Sequence, residues 1–133
     1  MKKLLVLLFI FSAWQGFSQI TNNSNCEIKV TFHCYSTACV EVCKEVVCVL
    51  PNGGTAPFPT KCDACNEWEY VTVCAASACI TCGQPTDTCH DLALDNCSGT
   101  WPMSFASAPM PGCMAPCATM SGTSTNTSIT INN

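Results

Sequence analysis

The chain has 133 residues, 14 of them cysteine, with five lysines, no arginine and nine acids. Once an export leader is removed, three lysines face nine acids, a net of −6. That balance supplies no cationic stripe for phosphate and excludes nucleic acid and anionic lipid as partners. The length excludes a large enzyme, a multi-span membrane protein and a coiled coil. Leu, Ile, Val and Phe make up about 17% of the mature part, below the roughly 20% at which chains often fail to form a core unaided.

Residues 1–18 carry the export pattern: Met1-Lys2-Lys3, the apolar run Leu4 to Phe11, and small residues Gly16 and Ser18 before Gln19. The apolar run is shorter than the about 20 residues a membrane-spanning helix needs. Cleavage before Gln19 therefore predicts an exported protein, extracellular, at the cell surface or periplasmic, without a membrane span. Residues 19–133 then form one domain.

Exported chains meet oxidising conditions, and an even cysteine count reads as disulfides. Cys26, Cys34, Cys39, Cys43, Cys48, Cys62, Cys65, Cys74, Cys79, Cys82, Cys89, Cys97, Cys113 and Cys117 are all expected to pair. Each bridge contributes about 2–4 kcal/mol by restricting the unfolded chain. On this reading, sulfur cross-links take the place of a core that the apolar content is too small to build.

In chain order, 19–25 is a polar lead-in, and Cys26 to Cys34 alternates as a half-buried strand. Ile28, Val30, Phe32 and Cys34 fall on one face, with His33 on the other as a solvated imidazole. Residues 36–50 fit a helical stripe, but the density of valine favours a strand at 45–50. Pro51-Asn52-Gly53-Gly54 is a turn. Residues 55–65 form a loop pinned by bridges. Glu67 to Cys74 is a second strand, with Trp68, Tyr70, Thr72 and Cys74 on one face and Glu67 and Glu69 on the other. Asp87 to Asp95 reads as a short helical turn, and Trp101 to Phe105 as an edge strand limited by Pro102. In the tail, Thr123, Thr125, Thr127, Ile129 and Ile131 alternate as one final, polar edge strand.

Val30 to Val40 resembles Val71 to Ile80 with one residue deleted, as two copies of a strand ending in a bridged turn would. Short strands separated by strong turns predict an all-β fold. It is a small disulfide-rich β-sandwich, Ig-like in architecture, with one short helical turn. With its leader, its opening Cys-Glu-Ile-Lys-Val-Thr strand and its Trp-rich second half, the chain resembles the short exported cysteine-rich β-proteins of Gram-negative bacteria. That resemblance implies a β-sandwich and no particular activity.

Chemistry-bearing residues are few. His33 and His90 are the neutral-pH bases, and His90-Asp91 with Asp87 reads as a polar surface turn. Alternation puts Glu67 and Glu69 on one face at a spacing open to glycoside chemistry, but without an aromatic platform beside them. Cys62-x2-Cys65 and Cys79-x2-Cys82 approach a zinc-ribbon spacing. Met110, Cys113, Met114, Cys117 and Met120 form a sulfur-rich set suited to copper(I). Both metal readings yield to disulfide pairing, so no cofactor or catalytic residue is expected. The functional expectation is a non-catalytic structural or recognition protein. It pairs strands with itself or another envelope protein through the tail, with Trp101 and Phe105 as a further contact patch. A monomeric glycan- or protein-binding module and a copper or zinc binder are the alternatives.

Overall fold

A computed structural model of the chain describes residues 17–75, 89–94, 102–106 and 120–133. Two antiparallel-rich sheets face each other. One contains β3 (Glu41–Val49), β2 (Ile28–Tyr35), β5 (Glu67–Ala75) and β6 (Cys89–Ala93), in that order. The other contains β4 (Gly54–Pro57), β1 (Gln19–Asn22), β9 (Ser128–Asn132), β8 (Ser121–Thr125) and β7 (Ser104–Ala106). The β1–β9 pair is parallel and the rest are antiparallel. This is the disulfide-rich β-sandwich expected, and the described residues contain no helix.

Between the layers lies a conventional apolar core. Ile28, Val30, Phe32, Val71, Val73 and Leu92 from one sheet meet Ile20, Ile129 and Ile131 from the other, each at 0% exposure. Trp68 and Phe58 pack edge-on to Phe32 at 5.3 and 4.9 Å. The aliphatic residues are few, but strand alternation aims most of them inward, the exceptions being Val40, Val42, Val46 and Leu50 on and beside β3. The core is present, and sulfur does not replace it.

Two buried polar side chains tie the layers at separate points. Asn22 Nδ2 donates to the carbonyls of Cys26, Val49 and Leu50 at 2.6, 3.1 and 3.1 Å. Its Oδ1 accepts from Ser24 N and Oγ, and its own carbonyl accepts from Gly53 N at 2.7 Å. Asn22 thereby holds the turn that carries the chain from β3 to β4. Asn52 (φ 60°) and Gly53 (φ 89°) in that turn adopt the left-handed conformation these residues tolerate best. The second tie is Ser124, whose Oγ donates to Ala93 O at 2.6 Å. The stretch expected to be a polar lead-in is therefore a strand with buried Ile20 and Asn22.

Other expectations change for identifiable reasons. Residues 41–49 form a strand along their whole length. Residues 89–93 are a strand, β6, and not a helical turn. Leu92 enters the core while Cys74 and Cys89 share a cross-strand rung. In β5 a bulge opposite His33/Cys34 makes Glu69 the extra residue. Trp68 consequently faces the core with Val71 and Val73, while Tyr70 and Thr72 face outward. The one-residue deletion in the second repeat acts by the same parity, so Cys34 points inward and Cys74 outward. The rest of that second copy lies outside the described residues.

The tail is the largest correction. A turn at 126–127 folds it into the β8–β9 hairpin, and β9 sits between β1 and β8 in the middle of the sheet. Ile129 and Ile131 are core, whereas Thr123, Thr125 and Thr127 are exposed. These residues do not form one edge face. Phe105 is half-buried against the core and leans over Gly122.

Three bridges are described end to end: Cys34–Cys65, Cys43–Cys62 and Cys74–Cys89. Cys26 and Cys39 are also disulfide-bonded. Cys48 departs from the expectation of complete pairing, because it is a free, exposed thiol on β3. Its cross-strand neighbour there is Lys29, not a cysteine. Residues 1–16 of the leader, Cys79, Cys82, Cys97, Trp101, Met110, Cys113, Met114 and Cys117 lie outside the described residues.

Replacing Asn22 with Ala is expected to lower unfolding free energy by about 2–4 kcal/mol, because buried carbonyls lose their donor. Urea denaturation measures this, and an unchanged midpoint would contradict the tie. Gly122→Val should cost about 1–3 kcal/mol, since any Cβ there meets the Phe105 ring and Ile131 Cδ1. The Phe105→Ala background should relieve part of that cost.

Candidate functional site

The outer face of the four-stranded sheet gathers most of the polar side chains that the register brings together. Rungs run Val46–Thr31–Thr72–Asp91 and Lys44–His33–Tyr70–Ala93 across β3, β2, β5 and β6. A register shift between Cys34 and Tyr35 sets Glu41 opposite Tyr35, on the same face as His33. Lys44 Nζ then contacts Glu41 Oε1 at 3.0 Å, and Glu41 Oε2 lies 3.4 Å from His33 Nδ1. His33 Nε2 is 3.0 Å from Thr72 Oγ1, which donates to Asp91 Oδ1 at 2.7 Å. The His33 ring stacks on Tyr70 at 4.1 Å, with Tyr35 tilted beside it at 6.2 Å.

The direction of these bonds decides what the array does. Thr72 has one proton, and it goes to Asp91. His33 Nε2 must therefore be the donor in its bond to Thr72. A base that activated the hydroxyl would need a bare Nε2 and a hydroxyl free to surrender its proton. In this arrangement the Glu41–His33–Thr72–Asp91 contacts link β3, β2, β5 and β6.

Electrostatics follow from burial. His33 is 7% exposed, not the solvated imidazole expected. Desolvation holds it below its usual 6.5, although the hydrogen bond to Glu41 that only the protonated ring can donate from Nδ1, and that residue's charge, pull upward. For Glu41, desolvation pushes upward, but bonds from Lys44 and His33 outweigh it and leave the carboxyl below 4.5. Burial, with Tyr35, Glu41 and Asp91 nearby, pushes Tyr70 up to about 12. His90 faces the other way and stacks on Phe105 at 4.3 Å. Burial lowers its pKa against the pull of Asp91, and its Nε2 has no hydrogen-bond partner among the described residues.

The other candidate residues separate. Glu67 is exposed and Glu69 is 3% exposed, so the bulge divides the carboxylate pair between two environments. Cys62 and Cys65 of the zinc-type spacing are bonded to Cys43 and Cys34. The sulfurs of Cys34, Cys43 and Cys65 lie within 4.8 Å of one another, a proximity that belongs to the two adjacent bridges. Met120, assigned above to a copper set, is buried in the core at 2% exposure. Trp101 and Asp87 lie outside the described residues. Sequence reading identified His33 but missed Asn22, Thr72 and Ser124, whose partners are set by cross-strand and cross-layer register.

A cavity of about 460 Å³ opens at one end of the sandwich, lined by Phe17, Phe58, Trp68 and Leu94 with Lys61 and Glu67. Its size suits a small ligand. Cleavage before Gln19 would take Phe17 from its wall. No protein-family model, curated protein or solved structure matches the chain. Among the described residues, no helix is long and apolar enough to cross a membrane. The disulfides place the protein in an oxidising environment.

Because both histidines titrate below 6.5 in the fold, the unfolded chain binds protons that the folded chain refuses. Stability is therefore full above about pH 6.5 and falls as pH drops below it, with Glu41 adding to the loss below 4.5. Urea midpoints between pH 7 and pH 5 should fall, and the His33→Gln/His90→Gln double variant should flatten that slope. Equal slopes would show that neither imidazole is coupled to folding.

Proposed function

We propose that this chain is a secreted, non-catalytic structural protein that acts at or beyond the cell envelope and assembles by strand pairing. The observation that carries this reading is β3, a nine-residue strand at the border of its sheet with exposed apolar side chains. An uncovered edge of this length is a template for another strand. The disulfides support export, and the likeness to short exported cysteine-rich β-proteins agrees with it. The polar groups of the outer face brace neighbouring strands against one another, which suits a load-bearing or packing role.

The second reading is a monomeric recognition module for a glycan or an envelope protein. The cavity beside Phe58 and Trp68 favours it.

Two measurements on protein harvested outside the cytoplasm separate these readings. Intact mass should show loss of residues 1–18 and of the hydrogens removed by oxidation. Sedimentation velocity should show association that grows with concentration. Protein that stays monomeric at high concentration would overturn the structural reading and leave the recognition module, testable with a glycan array.

A further inference from the structure

We propose that the two bridges fastening the loop at 58–66 exchange partners and so free one wall of the cavity. Cys34–Cys65 and Cys43–Cys62 would become Cys34–Cys43 and Cys62–Cys65. This goes beyond the assembly reading above and does not depend on it.

Three placements carry the inference. The Cys43 sulfur lies within 4.8 Å of both sulfurs of the neighbouring Cys34–Cys65 bridge. Cys34 and Cys43 are register partners across β2 and β3, and both pack toward the core. Directly opposed residues of an antiparallel pair have Cα atoms about 4.5–5.5 Å apart, inside the range a disulfide spans. Cys62 and Cys65 are the two ends of a turn in which Cys65 N donates to Cys62 O at 2.9 Å. Turn ends approach within about 7 Å, the reach of a disulfide. Adjacent bridges alone would bring sulfurs together. The register and the turn add that each cysteine has a second mate where it already stands.

The exchange takes a small thiol of the glutathione class as its catalyst. That thiolate attacks Cys62 Sγ, forms a mixed disulfide there and releases the Cys43 thiolate. Cys43 attacks Cys34 Sγ, forms Cys34–Cys43 and expels the Cys65 thiolate. Cys65 then attacks Cys62 Sγ, closes Cys62–Cys65 and returns the catalyst. Three S–S bonds break and three form, so nothing is oxidised or reduced overall. Attack at Cys34 is favoured over attack at Cys65 because of what leaves. Cys65 is half-buried, whereas Cys34 is at 0% exposure, where an anion is disfavoured.

In the structure both bridges tie the loop to the sheet. After exchange, one link lies within the sheet and the other within the loop, and neither crosses between them. Phe58, Pro59 and Lys61 of the cavity wall belong to this loop, while Trp68 stays on β5. Noncovalent contacts then hold the wall, among them Phe58 against Phe32 and Asn66 N to Tyr35 O at 3.4 Å. Contacts of that kind open and close, and a covalent tether does not.

The test uses the full exported chain. In Cys62→Ser the Cys43 thiol has no mate from the outset, so the second step should run without added thiol. Iodoacetamide labelling with fragment mass spectrometry should then find Cys65 free and Cys34–Cys43 bonded. Label on Cys43, with Cys34–Cys65 intact, would overturn the proposal. Wild type decides the matter if that variant fails to fold. Held with reduced glutathione and then quenched with iodoacetamide, it should yield Cys34–Cys43 and Cys62–Cys65 with no rise in free thiols. Trypsin should cut the exchanged form after Lys61 about tenfold faster than the original. Unchanged pairing, loop release only alongside new free thiols, or exchange without faster cutting at Lys61 would each overturn it.

Discussion

The fold depends on burying one small set of aliphatic side chains between two sheets. Ile20, Ile129 and Ile131 meet Ile28, Val30, Phe32, Val71, Val73 and Leu92, and all are removed from water. Burial of each such side chain contributes about 1.5–3 kcal/mol, so this layer outweighs any single bridge. The three bridges described end to end lie within the four-stranded sheet or fasten the loop at 58–66 onto it. None of the three joins one sheet directly to the other. Among the described residues the apolar core, Asn22, Ser124 and the Ala93–Pro102 backbone bond join the layers, while these sulfur links stiffen one layer and anchor its loop.

Bulges decide what that stiff layer presents to its surroundings. One extra residue at Glu69 turns Trp68 into the core and leaves Tyr70 and Thr72 outside. A second irregularity, beside Tyr35, delivers Glu41 to the outer face within reach of His33 and Lys44. Without these shifts the Lys44–Glu41–His33–Thr72–Asp91 array would not meet. Its contacts run from strand to strand across all four members of the sheet, with Thr72 on one side of the imidazole and Glu41 on the other. A group held this way stiffens the sheet that carries it.

The same layer treats its two borders differently. At β6 the backbone is occupied by Pro102 and Ser124, which bind the border to the opposite sheet. At β3 no further strand pairs with the border among the described residues, and Asn22 takes the carbonyls of Val49 and Leu50 at its far end. Val42 and Val46 on this strand, and Val40 and Leu50 flanking it, are the exposed large aliphatic side chains of the layer among the described residues.

Much of this was legible in the residues themselves. Alternation at Ile28, Val30, Phe32 and Cys34 marked β2 and its buried face, because strand side chains repeat every two residues. The turn at Pro51 to Gly54 followed from residues that accept left-handed backbone. Cysteine content and the leader pattern indicated an oxidising environment. The remainder required the third dimension. A turn at 126–127 reversed the tail and moved it from border to centre, and a bulge exchanged the faces of Trp68 and Tyr70. Register alone placed Thr72 between His33 and Asp91. Local pattern reports which residues alternate, but pairing partners lie tens of residues apart. Only the closed pair of sheets decides which strand is central, which border stays open and which cysteine finds no mate.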